Sequence, residues 1–193
     1  MAISMFNEQL RRIVISGKIR EEIAAQFLEQ ITALEYIDRT KPITIYIDTY
    51  GGSVHSALSI YDAIKICQCP IITVGIGKVM SAGTLLLAAG DKGARLLSSN
   101  TRVMIHEVSS GSIGTVSEMN RDVDEAKSLQ DIYIRLLARD TGQRKAKLLS
   151  DIGKDFYMSA KEAIAYGLAD RIYPTRKKKF KQIKKTVKQN KKR

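Results

Sequence analysis

The chain is predicted to be an α/β protein with largely parallel strand pairing, and three observations predict it. Short β-branched runs alternate with stretches of helical periodicity along most of its length. Aromatic residues make up only 6% and tryptophan is absent, which suits layered aliphatic packing better than an aromatic-rich sandwich. Proline and glycine punctuate the changes of period, with Pro42 and Pro70 ahead of strand-like runs and Gly17, Gly142 and Gly167 behind completed ones. A length of 193 residues suits one sizeable domain.

Taken in order, Ile13 to Gly17 reads as a short buried strand closed by glycine. From Glu21 to about Ile37 the apolar residues Ile23, Phe27, Ile31 and Leu34 fall at helical spacing. Ile43 to Asp48 is a β-branched strand that stops at Thr49, Tyr50, Gly51 and Gly52, and Val54 to Ile66 returns to helical spacing. Ile71 to Gly77 is the next strand, followed by a loop with Ser81 and an apolar helical run, TLLLAAG. RLLSS and RVMIH are further strand candidates. A long amphipathic helix is predicted from about Thr115 to Ala138, with Met119, Val123, Ala126, Leu129, Tyr133 and Leu136 on one face and Gly142 as its stop. Ser159 and Glu162 form a capping-box pattern for a final helix ended by Gly167, and LADRIYP closes the sheet.

The net charge of +12 suggests a nucleic-acid binder until it is located. Eleven Lys or Arg and no acid lie between Arg176 and Arg193, so twelve less eleven leaves +1 for the rest. The expected organisation is therefore a domain over 1–175 and a basic, disordered tail over 176–193, with nucleic acid reachable only through the tail. No leader pattern and no long apolar run is visible, which predicts a cytoplasmic protein with no membrane contact. Cys67 and Cys69 are too close for an easy mutual bridge and read as reduced, structural thiols. Neither a metal nor a cofactor is expected, histidines being scarce.

His55 and His106 are the only imidazoles able to act as neutral-pH bases. His106 ends a strand candidate, where a side chain can project into a cleft; a structural role is the competing reading. Ser81 enters a helix, where a developing anion is favoured, and Ala82 and Gly83 leave room for a carbonyl. Spacing alone leaves open that Ser81 merely caps that helix. Val79 stands where the Gly-x-Ser-x-Gly elbow would have its first glycine. Gly51 and Gly52, after a strand, can present backbone N–H groups to an oxyanion. Both glycines and the Ser81 loop fall at carboxyl ends of strands, where open α/β sheets bind ligands.

Over roughly Leu10 to Pro174 the sequence resembles the proteolytic subunit of the Clp protease (ClpP). The resemblance rests on IYIDTYGGSV and SIYDAI, then GKVMSAGTLLLAAGDKGARLLSSNTRVMIHE, TGQ and DFYMSAKEAIAYGLADRI, in that order. The 25-residue step from Ser81 to His106 agrees with the family. The resemblance implies a ClpP/crotonase-like repeated β-β-α superhelix with a protruding handle helix, here the long helix from Thr115. It implies a triad of Ser81, His106 and Asp155; the residues by themselves do not choose Asp155 over Asp48, Asp91 or Asp170. It also implies oxyanion donors at the N–H groups of Gly52 and Ala82, and substrate-binding backbone at Val54 and Ser109. The expected activity is ATP-independent peptide-bond hydrolysis on peptide or unfolded protein, inside a homo-oligomer of stacked heptameric rings, a tetradecamer.

Some features depart from the family. Only nine residues precede Leu10, where the family carries the segment that meets an ATP-driven unfoldase, which puts a Clp-type ATPase partner in doubt. Ser-Met-Gly is Ser81-Ala82-Gly83, His-Gln-Pro is His106-Glu107-Val108, Lys154 replaces a frequent arginine, and the basic tail is unusual. A phage-type capsid maturation protease, a crotonase acting on acyl-CoA, and a non-catalytic ring scaffold binding an acidic partner through its tail are the rival readings.

Overall fold

A computed structural model describes residues 3–7 and 10–174. The expected tail over 176–193 lies outside the described residues. The elements are β1 (Ile3–Asn7), β2 (Arg12–Ile19), α1 (Glu21–Ile37), β3 (Ile43–Gly52), α2 (Val54–Ile66), β4 (Ile71–Met80) and α3 (Ala82–Ala88). They continue with β5 (Arg95–Leu97), β6 (Arg102–Ile105), α4 (Val116–Thr141), α5 (Lys145–Ile152), β7 (Phe156–Ser159), α6 (Ala160–Tyr166) and β8 (Arg171–Ile172).

Strands β2, β3, β4, β5 and β8 run parallel, as the alternation of strand and helix demands, and β1 adds to the β2 edge antiparallel. β6 branches off β4 in parallel and carries β7 antiparallel. In β3, Ile43, Ile45, Ile47 and Thr49 are buried while the residues between them are partly or fully exposed, the period-two signature of a strand with one covered face. α1 lays Ile23, Phe27, Ile31 and Leu34 into the core, on the face the spacing predicts. Ser53 caps α2, its Oγ accepting from the Ser56 N–H at 3.2 Å. Capping boxes open α4 (Thr115 with Glu118) and α6 (Ser159 with Glu162), and left-handed Gly142 and Gly167 close them.

Several boundaries differ from the sequence reading. β3 does not stop at Thr49 but runs through Gly52, and β4 does not stop at Gly77 but continues to Met80. β4 changes partner: Thr73 to Gly75 pair with β5, and Lys78 to Met80 pair with β6. The ladder therefore continues past Gly77, and no loop precedes Ser81, which is the single residue between β4 and α3. The closing strand shrinks to Arg171–Ile172. On α4 the expected apolar face is buried only from Leu129 onward, whereas Met119 and Val123 are exposed. Its first half thus leaves its apolar side uncovered, as a handle would, while Glu125 still reaches His55 of the domain. β1, α5 and β7 have no counterpart in the sequence reading.

Both thiols are free, with Cys69 buried. Burial, against the smaller opposing effect of the Cys69 backbone hydrogen bond, pushes the Cys67 thiol up to about 12, so Cys67 forms no reactive thiolate near neutral pH.

Candidate active site

Strand register assembles the site. Thr49 pairs with Val79 in the parallel β3–β4 ladder, and two residues further along both strands Gly51 lies beside Ser81. Met80 pairs with Met104, and the Ser81 N–H donates to the Met104 carbonyl at 2.8 Å, which draws the end of β6 against the serine. Ile105 pairs with Phe156 in the antiparallel β6–β7 ladder, so the next residues outward, His106 and Asp155, face one another.

Ser81 has φ 53° and ψ −129°, a positive φ that costs a side-chain-bearing residue about 1–3 kcal/mol. Its side chain makes no capping bond to α3, which sets aside the reading of Ser81 as a helix cap. The Oγ lies 2.8 Å from His106 Nε2 instead. The sharp strand–turn–helix geometry is that of a nucleophile elbow, reached with Val79 in place of the usual first glycine. Behind the turn, the Ser81 carbonyl accepts from the Thr84 N–H at 2.9 Å and the Thr84 Oγ1 at 2.7 Å, and the Tyr133 hydroxyl oxygen lies 3.4 Å away.

His106 Nδ1 lies 3.5 Å from Asp155 Oδ1, an ion-pair separation longer than a good hydrogen bond. The Asp155 side chain is 57% exposed and that of His106 29%, so the carboxylate end of the row is wet.

The glycine turn packs tightly on the serine. A Cβ placed on Gly51 would meet Ser81 Cβ at 2.6 Å and the Ala82 nitrogen at 3.1 Å. Gly51 has φ +97°, and its N–H donates to Thr49 Oγ1 at 2.9 Å. The Thr49 hydroxyl donates in turn to the Gly17 carbonyl, tying the turn to β2. Ser81, His106, Gly52, Tyr50 and His55 line a cavity of about 890 Å³. Val54 and Ser109 both line an adjoining cavity of about 410 Å³ that shares Gly52, His55 and Ser109 with the first. Val54 opens α2 and is not in an extended strand, so its N–H belongs to the unpaired first turn of that helix.

Every residue singled out in the sequence as a site candidate therefore lies in or beside one cleft. Three others were missed: Thr49, Thr84 and Tyr133. Thr84 is the one hydroxyl in an otherwise apolar run, which is a signal of sorts; Tyr133 reads only as a core residue. His55 reaches Glu125 of α4 at 3.4 Å and lines both cavities.

A mainly parallel α/β sheet with a serine hydroxyl and an imidazole in hydrogen-bond contact at its strand ends is an arrangement that serine-type hydrolases use. The sequence model described as Clp protease matches residues 2–176, and the chain belongs to that family, as a serine-type Clp peptidase. It is 39% identical over 91% of its length to the ATP-dependent Clp protease proteolytic subunit 2 of Chlamydia trachomatis serovar D, covering 88% of that protein. The corresponding subunit 2 of Chlamydia muridarum shows the same identity and coverage. That of Treponema denticola is 33% identical over 86% of this chain and 84% of its own. The resemblance read from motif order is thereby borne out. Among the described residues no helix is long and apolar enough to cross a membrane.

Proposed function

We propose that the chain hydrolyses peptide bonds with Ser81 as nucleophile, His106 as general base and Asp155 as the group that orients the imidazole. The observation that carries this is the 2.8 Å contact between Ser81 Oγ and His106 Nε2 in a cleft large enough for a peptide. His106 takes the hydroxyl proton as Oγ bonds to the substrate carbonyl carbon. The carbonyl oxygen becomes an oxyanion held by the N–H groups of Gly52 and Ala82. Collapse breaks the C–N bond, and the imidazolium returns its proton to the leaving amine. Water, deprotonated by the same imidazole, then releases the acyl group. Asp155 favours the tautomer with the proton on Nδ1 and stabilises the imidazolium.

Val54 and Ser109 flank the adjoining cavity and suit an extended peptide read through its main chain, which supports broad sequence tolerance. The handle supports self-association. Val116 and Val123 of α4, with Ile113 just before it, are at least half exposed, and a ring of identical subunits would bury them. On this reading the ATP in the relatives' names belongs to an unfoldase partner that delivers unfolded chains, and cleavage itself uses none.

Intact-mass measurement after treatment with a fluorophosphonate tests the proposal. One adduct on the assembled protein, absent from Ser81→Ala, is expected. An assembled protein that takes no adduct would overturn it.

A further inference from the structure

We infer that Tyr133 and Thr84 form a hydrogen-bond relay that orients and polarises the Ser81–Ala82 peptide, making them positioning residues for the oxyanion site. The inference rests on the proposed role of Ser81 and extends it to a helix that does not touch substrate.

Thr84 Oγ1 lies 2.7 Å from the Ser81 carbonyl oxygen, which can only accept, so the threonine spends its one proton there. The same Oγ1 lies 2.9 Å from the Tyr133 hydroxyl. With the threonine proton committed, the phenol must be the donor in that contact. The chain therefore runs Tyr133 O–H to Thr84 Oγ1–H to Ser81 C=O. Tyr133 also lies 3.4 Å from the carbonyl itself. Burial pushes the Tyr133 phenol up to about 12, against the smaller opposing effect of the Thr84 contact, so it keeps its proton at working pH.

The carbonyl so held belongs to the same peptide group as the Ala82 N–H. A trans peptide is planar, with C=O and N–H pointing in opposite directions. Fixing the oxygen among Thr84 and Tyr133 therefore fixes the direction of the N–H on the opposite side. Hydrogen bonds to an amide oxygen also draw charge through the amide and strengthen its N–H as a donor, and serial bonds reinforce one another. The peptide follows a residue at φ 53°, a conformation that needs its surroundings to hold it. Tyr133 is buried and sits four residues beyond Leu129, where α4 turns from exposed handle to packed helix. The relay thus ties the handle helix to the oxyanion donor.

The test compares kcat and KM on a fluorogenic dipeptide amide, and fluorophosphonate labelling rates, for Tyr133→Phe, Thr84→Val and Thr84→Ser at matched assembly state. Both hydroxyl deletions keep the shape of the buried group. Each is expected to lower kcat and the labelling rate roughly three- to tenfold, the range for one net hydrogen bond, with KM little changed. Thr84→Ser should recover most of what Thr84→Val loses, and the double deletion should be no worse than Thr84→Val alone, because the relay is serial. Wild-type kcat in Thr84→Val, or a change confined to KM, would overturn the relay. Should Tyr133→Phe fail to fold, the Thr84 pair decides the question alone. Absence of Ser81-dependent labelling in the wild type would instead refute the nucleophile assignment, and that is read before any variant is compared.

Discussion

Gly51 and Ser81 are neighbours across the β3–β4 ladder at a distance that leaves no room for a side chain: a Cβ on the glycine would come within 2.6 Å of the serine Cβ. The same Cβ would come within 2.9 Å of the Met80 carbonyl. Gly51 also holds φ +97°, which other residues adopt only with strain. Gly51→Ala is therefore expected to displace the Ser81 turn. A shift of about 1 Å in a reacting group costs on the order of a hundredfold in rate. Peptidase activity should fall at least that far while circular dichroism stays native, and fluorophosphonate labelling kinetics measure it.

Asp155 should matter less than the carboxylate of a dry triad. Its 3.5 Å approach to His106 Nδ1 and its 57% exposure weaken both orientation and charge stabilisation. A buried, hydrogen-bonded triad aspartate is worth roughly ten-thousandfold when changed to Asn. Asp155→Asn here is expected to reduce kcat/KM by on the order of a hundredfold, far less than Ser81→Ala or His106→Ala. If assembly drew Asp155 into a tight hydrogen bond, the loss would approach the larger figure. Measuring kcat/KM for the three variants on one peptide separates these outcomes.

The contrast between Ser81 and Asp155 shows what the sequence could convey. Ser81 stands in a local pattern of glycine-rich strand end and apolar helix, and the helices α1 and α2 follow directly from four-residue spacing. Asp155 is placed by β7, a four-residue strand whose partner β6 lies some fifty residues earlier in the chain. No local period announces such a pairing, and the residue was reached only through the family resemblance. α5 escaped for a similar reason, burying just Leu148 and Ile152 among charged neighbours. β4 was cut short at Gly77 because glycine usually ends a strand. Here Gly77, at φ +64°, sits where β4 leaves β5 for β6, a change of partner that depends on tertiary arrangement. The handle follows from the family resemblance, whereas the apolar spacing of α4 by itself does not tell that Met119 and Val123 stay exposed, because an apolar face reads alike whether the domain or another surface covers it.

Gln130 should control the segment after His106. Its Oε1 accepts the Val108 N–H at 2.8 Å, one residue before Ser109 at the adjoining cavity. Gln130→Ala removes that partner and leaves the Val108 amide to solvent. Amide exchange at Val108 should then speed up, and KM for a peptide should rise roughly three- to tenfold, in keeping with one hydrogen bond of about 1 kcal/mol. Unchanged exchange at Val108 would show that other contacts order the segment.

Asp170 governs how the domain meets acid. Arg95, with its side chain only 3% exposed, places Nη2 2.6 Å from Asp170 Oδ1 and Nε 3.0 Å from Oδ2, and the Gly93 N–H donates to the same carboxylate. Burial acts to raise the Asp170 pKa, but the Arg95 hydrogen bonds and charge, with the Gly93 N–H, outweigh it and hold it below the usual carboxylate value. A carboxylate depressed in the folded state contributes stability fully above its unfolded pKa, about 3.9, and loses it as pH falls through the lower folded value. Asp170→Asn leaves a buried guanidinium without its counter-charge, which costs about 3 kcal/mol near neutral pH. The gap between wild type and Asp170→Asn should therefore be widest at pH 7, still nearly full at pH 5, and narrow steadily below pH 4. Urea unfolding at those pH values and one fixed protein concentration measures it, since self-association would otherwise shift the midpoint. A gap that stays constant down to pH 3 would mean that Asp170 takes up its proton at the same pH in the folded and unfolded chain, so that Arg95 does not hold it below the usual carboxylate value.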